Sequence, residues 1–229
     1  MSSRQLAGLL QLVSPTLPVG AFCYSQGLEW AVAEGVVHDE ASLEEWLRSI
    51  LRDGIAAWDA TWVAVLMHAW TRGALDDVTL LNERFLASRE TRELLAETLQ
   101  MGRSLLALLR NTQELAAARL LHLQSIDATQ GVALPVAWSA IAAQRDIAVL
   151  DALVGYLWAW LENATMAALK TLPMGQSAGQ RLLTRLGARL DGLAAEAADR
   201  PLDRCCNLLP GLALASMQHE TQYTRLFRS

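Results

Sequence analysis

The residues able to do chemistry are few and scattered. Cys23 and Ser25 lie in SPTLPVGAFCYSQGLEWAV, residues 14–32, which holds two prolines, two glycines, three aromatics and a cysteine. That density suits an active-site loop. Nucleophilic catalysis needs a nucleophile, a base and a group that orients the base, and no nucleophile-elbow motif surrounds Cys23 or Ser25. The histidines are His38, His68, His122 and His219. None is four residues from another, and H-x-H, H-E-x-x-H and C-x-x-C are all missing, so no metal-ligand spacing stands out. Cys205 and Cys206 are adjacent, a spacing from which two thiolates rarely reach one ion. His68 falls on a tryptophan-rich helical stretch, where a hydrogen-bonded structural role is expected. No phosphate-binding G-x-x-x-x-G-K-[ST] is present, and Gly20 and Gly27 fit neither that motif nor a dinucleotide fingerprint. Glu44 with Glu45 and Asp76 with Asp77 sit at helix starts, where the helix dipole accounts for them. The expectation is no catalytic set and no preformed metal site.

Other features concern surfaces. Arg181, Arg185 and Arg189 repeat every fourth residue on one helix face, which suits solvent or an acidic partner. Lys170 closes the most apolar helix, where the dipole favours a cation. Tyr223, Leu226 and Phe227 lie among polar residues at the end of the sequence. Bulky apolar groups there either dock on the rest of the chain or order on a partner. The net charge of −5 and the pI near 5.4 argue against binding nucleic acid through its phosphates.

These residues must be positioned by helices. Of the 229 residues, 52% are hydrophobic, enough for a sizeable core, and 19% are charged. Apolar residues recur at three- and four-residue spacing and no long alternating pattern appears, so the fold class is all-α. The reading is one compact domain over 1–229, of about ten helices and no β-sheet. A first helix ends near Ser14, before Pro15. A second starts after Ser25, its expected N-cap. Ser42 with Glu45 reads as a capping box. Trp58, Trp62, Leu66 and Trp70 mark a packed face over 55–72, which Gly73 ends. Asp76 or Asp77 is expected to cap the next helix. Further helices are expected over 89–110, 113–124, 134–145, 147–171, 177–197 and 211–219. The stretch 147–171 is apolar on nearly all sides and is expected to be central. Its uninterrupted apolar part is too short to span a bilayer. Three cysteines form no disulfide framework. With no signal-peptide pattern read at Met1, a reducing cytoplasm is the expected setting.

Taken together, four segments resemble one family. LLQLVSPTLPVGAFCYSQGLEWAV is similar to the N-terminal signature of the UreF family of urease accessory proteins. SRETREL at 88–94, MAALKTLPMGQ at 166–176 and QHETQYTRLFRS at 218–229 resemble further segments of it, in the same order. The resemblance implies an all-helical, dimeric, non-enzymatic protein. It would act with a UreD/UreH-type protein and the GTPase UreG to deliver nickel into apo-urease, with no stably bound cofactor of its own. Carried over by position, Glu220, Thr221, Gln222, Tyr223, Arg225, Leu226 and Phe227 form a tail, 220–229, that orders on the UreD-type partner. Pro18, Gly20, Phe22, Tyr24, Ser25, Gln26 and Glu29 contribute to a partner or dimer surface. Phe22 and Tyr24 are expected to be displayed on a loop stiffened by Pro15 and Pro18. Lys170 and Gly175 belong to the side facing the GTPase. The family usually has a glycine and a small residue such as serine where this chain has Ala21 and Cys23, so Cys23 inherits no role. Two other readings stay open. One is a helical ligand-binding protein or enzyme built on Cys23 and Ser25 with a pocket near the tryptophans. The other is a nickel chaperone using His219 or Cys205 across a dimer.

Overall fold

A computed structural model describes residues 1–229, and they form helices, turns and no strand. The helices are α1 (Ser3–Val13), α2 (Leu28–Ala33), α3 (Glu40–Ile50), α4 (Thr61–Arg72), α5 (Leu75–Ala87), α6 (Arg92–Thr112), α7 (Ala117–Thr129), α8 (Leu134–Gln144), α9 (Val149–Thr171), α10 (Gln176–Gly187), α11 (Leu190–Asp199) and α12 (Pro210–His219). A π-helical segment, Leu51–Ala60, joins α3 to α4. The two are therefore one unbroken rod over 40–72, where the apolar pattern suggested a new helix near 55. A π turn takes in extra residues without breaking the helix, which shifts the buried face relative to a constant 3.6-residue period.

Local chemistry explains most boundaries. Ser2 caps α1 with a reciprocal pair: its hydroxyl accepts from Gln5 N at 3.3 Å, and its own N–H donates to Gln5 Oε1 at 2.7 Å. α1 stops at Val13, as Pro15 requires. Three expected caps are corrected. The N-cap of α2 is Gly27, in the left-handed region at φ 76°, rather than Ser25. Ser25 Oγ still accepts from Glu29 N at 3.3 Å. The capping box of α3 begins at Asp39, with Ser42 as its third helical residue, because Asp39 Oδ1 takes the Ser42 N–H at 2.8 Å. α5 starts after Ala74 with no side-chain cap, and Asp76 and Asp77 lie in its first turn. Gly73 ends α4 at φ 69°, as read from the sequence.

The stretch read as one helix over 177–197 is two, α10 and α11. The chain tightens at Ala188 and Arg189, where Arg189 N bonds Leu186 O one residue early. Gly187 lies against Trp158 there, and a glycine favours the break. Leu182, Leu183, Leu186 and Leu190 are buried on both sides of it. Arg181 and Arg185 pair with Glu40 and Glu44 of α3 at 2.8 Å, so this part of the arginine stripe meets acids of its own chain.

The central helix is α9, which packs against α1, α2, α3, α4, α10, α11 and the π segment. Leu153, Leu157, Leu161 and Ala168 are wholly buried on it. The buried apolar side chains form one contiguous cluster around it. No helix is long and apolar enough to cross a membrane.

Candidate functional site

Three of the four segments singled out in the sequence meet at one place. Residues 25–29 enter α2, residues 88–93 enter α6, and residues 219–229 leave α12. Gly27 makes the approach of α2 to α12 possible. A Cβ at Gly27 would stand 3.0 Å from Ala215 and from the main chain of Ser216. Thr91, the N-cap of α6, ties in the same helix through a 2.7 Å bond between its hydroxyl and that of Ser216.

The tail folds back over this junction. The main-chain oxygen of Ser229 accepts from Ser25 N at 2.6 Å, Gln26 N at 3.1 Å and Ser25 Oγ at 2.6 Å. Arg228 N donates to Cys23 O at 2.8 Å. Glu29 accepts from the main-chain N–H groups of Leu226 and Phe227, at 2.6 and 2.9 Å. A carboxylate that accepts two backbone donors holds them with charge-assisted bonds, stronger than neutral ones. The backbone of the tail is thereby fixed by residues of the SQGLE segment.

Below the tail lies a buried ionic cluster. His219 is fully buried, with Nδ1 2.8 Å from Glu93 and Nε2 3.3 Å from Glu29. Carboxylates only accept, so both ring nitrogens donate when Glu29 and Glu93 are ionised. Arg225 adds a bond to Glu93 at 3.0 Å. One turn further along α6, Glu97 accepts from Gln26 Nε2 at 2.8 Å and from Ser229 Oγ at 3.0 Å. Gln26, held at φ 53°, passes the network to α9 by accepting from Trp160 Nε1 at 2.7 Å. Burial pushes the Glu97 carboxyl up to about 7. Asp59, on the π segment, is also raised by burial, and Arg89 at 3.3 Å opposes the rise. Arg89 lies over the Phe85 ring at 4.3 Å. Burial likewise holds the Tyr24 and Tyr156 hydroxyls above their ordinary range. A cavity of about 250 Å³ opens beside this cluster, lined by Asp59, Arg89, Glu97, Tyr156 and Trp160 and by apolar residues of α1 and the 14–27 loop.

The sequence-derived site residues divide into two groups. Ser25, Gln26 and Glu29 bind the tail, Phe227 is buried, and Glu220 accepts from Arg92 N at 3.0 Å. Phe22 (62% exposed), Tyr223 (fully exposed), Leu226, Thr221 and Pro18 face outward, while Arg225 is exposed but turns its guanidinium to Glu93. Tyr24 does not, which corrects the expectation that it is displayed. The 3₁₀ turn Ala21–Cys23 sends Phe22 out and turns Tyr24 inward, where Asn163 of α9 donates to its carbonyl. Gly20 starts that turn at φ 78°, a conformation that favours glycine. Lys170 is exposed, 5.5 Å from the Phe227 ring. Gly175 sits apart at the start of α10 with φ −81° and open space around it, so nothing in the structure requires a glycine there.

Asp59, Arg89, Glu93, Glu97, Trp160 and Ser229 were missed as site residues. Glu93 and Glu97 carry a visible signal in RETRELLAE: two acids four apart on the apolar face of an amphipathic helix. His68 is exposed, which corrects the structural role expected for it. The Ser25 hydroxyl donates to a main-chain oxygen and not to a base. Cys205 and Cys23 are half-buried free thiols, and burial raises the Cys205 thiol. No group of three or more His, Cys, Asp or Glu side chains is arranged to hold a metal ion.

Fold and site thus define an all-helical protein in which segments 25–29 and 88–93 converge on a docked tail, with apolar and basic groups displayed around it. The UreF family model matches residues 37–187. Urease accessory protein UreF of Dechloromonas aromatica is 51% identical over 225 residues, covering 98% of each chain. The protein of the same name from Azoarcus sp. is 52% identical over 229 residues, covering 98% of this chain and 95% of its own. That from Chromohalobacter salexigens is 44% identical over 224 residues, covering 98% of this chain and 94% of its own. The chain belongs to the UreF family.

Proposed function

We propose that this chain is a non-enzymatic accessory protein of urease maturation, working as a scaffold. It binds a UreD/UreH-type protein, recruits and regulates the GTPase UreG, and supports nickel insertion into apo-urease. Nickel is cargo of the assembly, and the chain keeps no stable cofactor. The unit is 1–229, acting in the cytoplasm as a homodimer, with 220–229 as the partner-facing tail. The names of its relatives support the urease role.

The observation that carries the scaffold reading is the docked tail. Ten residues with no helical structure are held by buried charges, while Tyr223 and Leu226 point to solvent. Aromatic groups preset on a fixed backbone lose little entropy on binding, and tyrosine is enriched at binding hot spots. Phe22 and Lys170 extend the same reading to the 14–27 loop and the end of α9. Co-expression of the tagged chain with a UreD-type protein and UreG tests it. Recovery of both on the tag is expected, and recovery of neither refutes it.

A further inference from the structure

The cavity beside the ionic cluster is acidic in charge and apolar in most of its walls. It is lined by four acids, Asp59, Glu90, Glu97 and Glu162, against two cations, Arg89 and Lys170. The cations leave one buried charge unmatched. Arg89 is committed to Asp59 at 3.3 Å, and Lys170 is exposed, 5.5 Å from the Phe227 ring. Glu90 is exposed and Glu162 half-buried, while Asp59 and Glu97 are buried. Glu97 takes one neutral donor on each oxygen, Gln26 on Oε1 and Ser229 on Oε2. A carboxylate has about four acceptor sites, so roughly half of its capacity is open. Burying a carboxylate without a cation is costly, and an ammonium group brought beside it offsets that cost.

We propose that this cavity binds a small organic monocation, a primary alkylammonium whose head pairs with Glu97 and whose chain lies along the apolar walls. This goes beyond the scaffold reading and does not depend on it. The surplus of acids calls for a cation. Leu12, Val19, Ile55, Leu94 and Met101 are among the lining residues, and such walls favour an alkyl body over a hydrated ion. Tyr24, Trp138, Tyr156 and Trp160 also line the cavity, and an aromatic face attracts a cation. No three His, Cys, Asp or Glu side chains are grouped to hold a metal ion, so the donor set suits a single ammonium head better than a chelated metal. At about 250 Å³ the cavity is just below the usual range of ligand pockets, about 300–1,000 Å³, which limits the guest to a short chain.

Calorimetric titration of the full-length protein with hexylammonium, 1-hexanol and hexanoate, at a pH of about 8, tests this. Burial pushes the Glu97 carboxyl up to about 7, and an alkylamine titrates near about 10, so both partners are charged there. Hexylammonium is expected to bind at least about ten-fold more tightly than 1-hexanol, the usual worth of a hydrogen bond to a charged group, and hexanoate is expected not to bind. Glu97→Gln, of matching shape and without charge, should remove that preference and leave the binding of 1-hexanol unchanged. Failure of hexylammonium to bind, equal affinity for all three compounds, or a Glu97→Gln variant that keeps the preference overturns the proposal. Should Glu97→Gln not fold, Ala159→Phe serves instead. It narrows the cavity from α9 and should weaken hexylammonium binding by a similar factor, and unchanged binding overturns the assignment.

Discussion

Single residues in this chain divide sharply into those that hold the tail and those the held tail presents. Phe227 is buried against the stem of the junction, 5% exposed, while Tyr223, four residues away, is fully exposed. Removing the Phe227 ring leaves a cavity and costs about 3 kcal/mol. Phe227→Ala should therefore lower the melting temperature clearly, whereas Tyr223→Ala should leave it within about a degree. Paired thermal melts followed by circular dichroism check both. Gly27 is the second sensitive position. Alanine there combines a left-handed backbone, a strain of about 1–2 kcal/mol, with crowding against Ala215 and Ser216. Gly27→Ala should lower the unfolding free energy by at least that amount, read by chemical unfolding. Glu97 escaped assignment from the sequence for one physical reason. Two acids four apart on an apolar helix face hint at burial, but the partners of Glu97, Gln26 and Ser229, lie 71 and 132 residues away and are not visible from it.

At the level of elements, helical periodicity located nearly every helix, because each buries one apolar stripe in the core around α9. Ends were harder. The spacing of Ser42 and Glu45 marked a box starting at Ser42. The structure starts it at Asp39, where Ser42 N and Oγ both meet the Asp39 carboxylate. That places a testable weight on Asp39. Asp39→Ala should cost about 1 kcal/mol, the usual worth of an N-cap, and Glu45→Ala should cost less, both read in the same unfolding assay. The π segment had no counterpart in the pattern, since its extra residues leave the apolar letters in place and only rotate them. It carries Asp59 and Gly54 beside the cavity, and π turns recur at functional sites. The split between α10 and α11 was hidden by leucines that keep a helical rhythm across it.

For the whole molecule, the four family-like segments are far apart in sequence. Three meet directly: 25–29, 88–93 and 218–229. The fourth, 166–176, touches the junction only through Lys170 and Phe227. Their order and wording were legible in the sequence, while their convergence was not, because it depends on α2, α6 and α12 packing together. The molecule offers no triad, no metal cluster and no phosphate loop at that junction. It offers a backbone clamped by Glu29, which His219 in turn holds, with Tyr223, Leu226 and Phe22 outward. The central claim is that this outer face binds a UreD-type protein and through it recruits UreG. The most direct measurement is light scattering on gel-filtered mixtures of the three purified proteins, with wild type and with Tyr223→Ala combined with Leu226→Ala. A complex containing all three proteins is predicted for wild type, with the double variant remaining folded but failing to join. Wild type eluting alone, or the double variant assembling as well as wild type, contradicts the account.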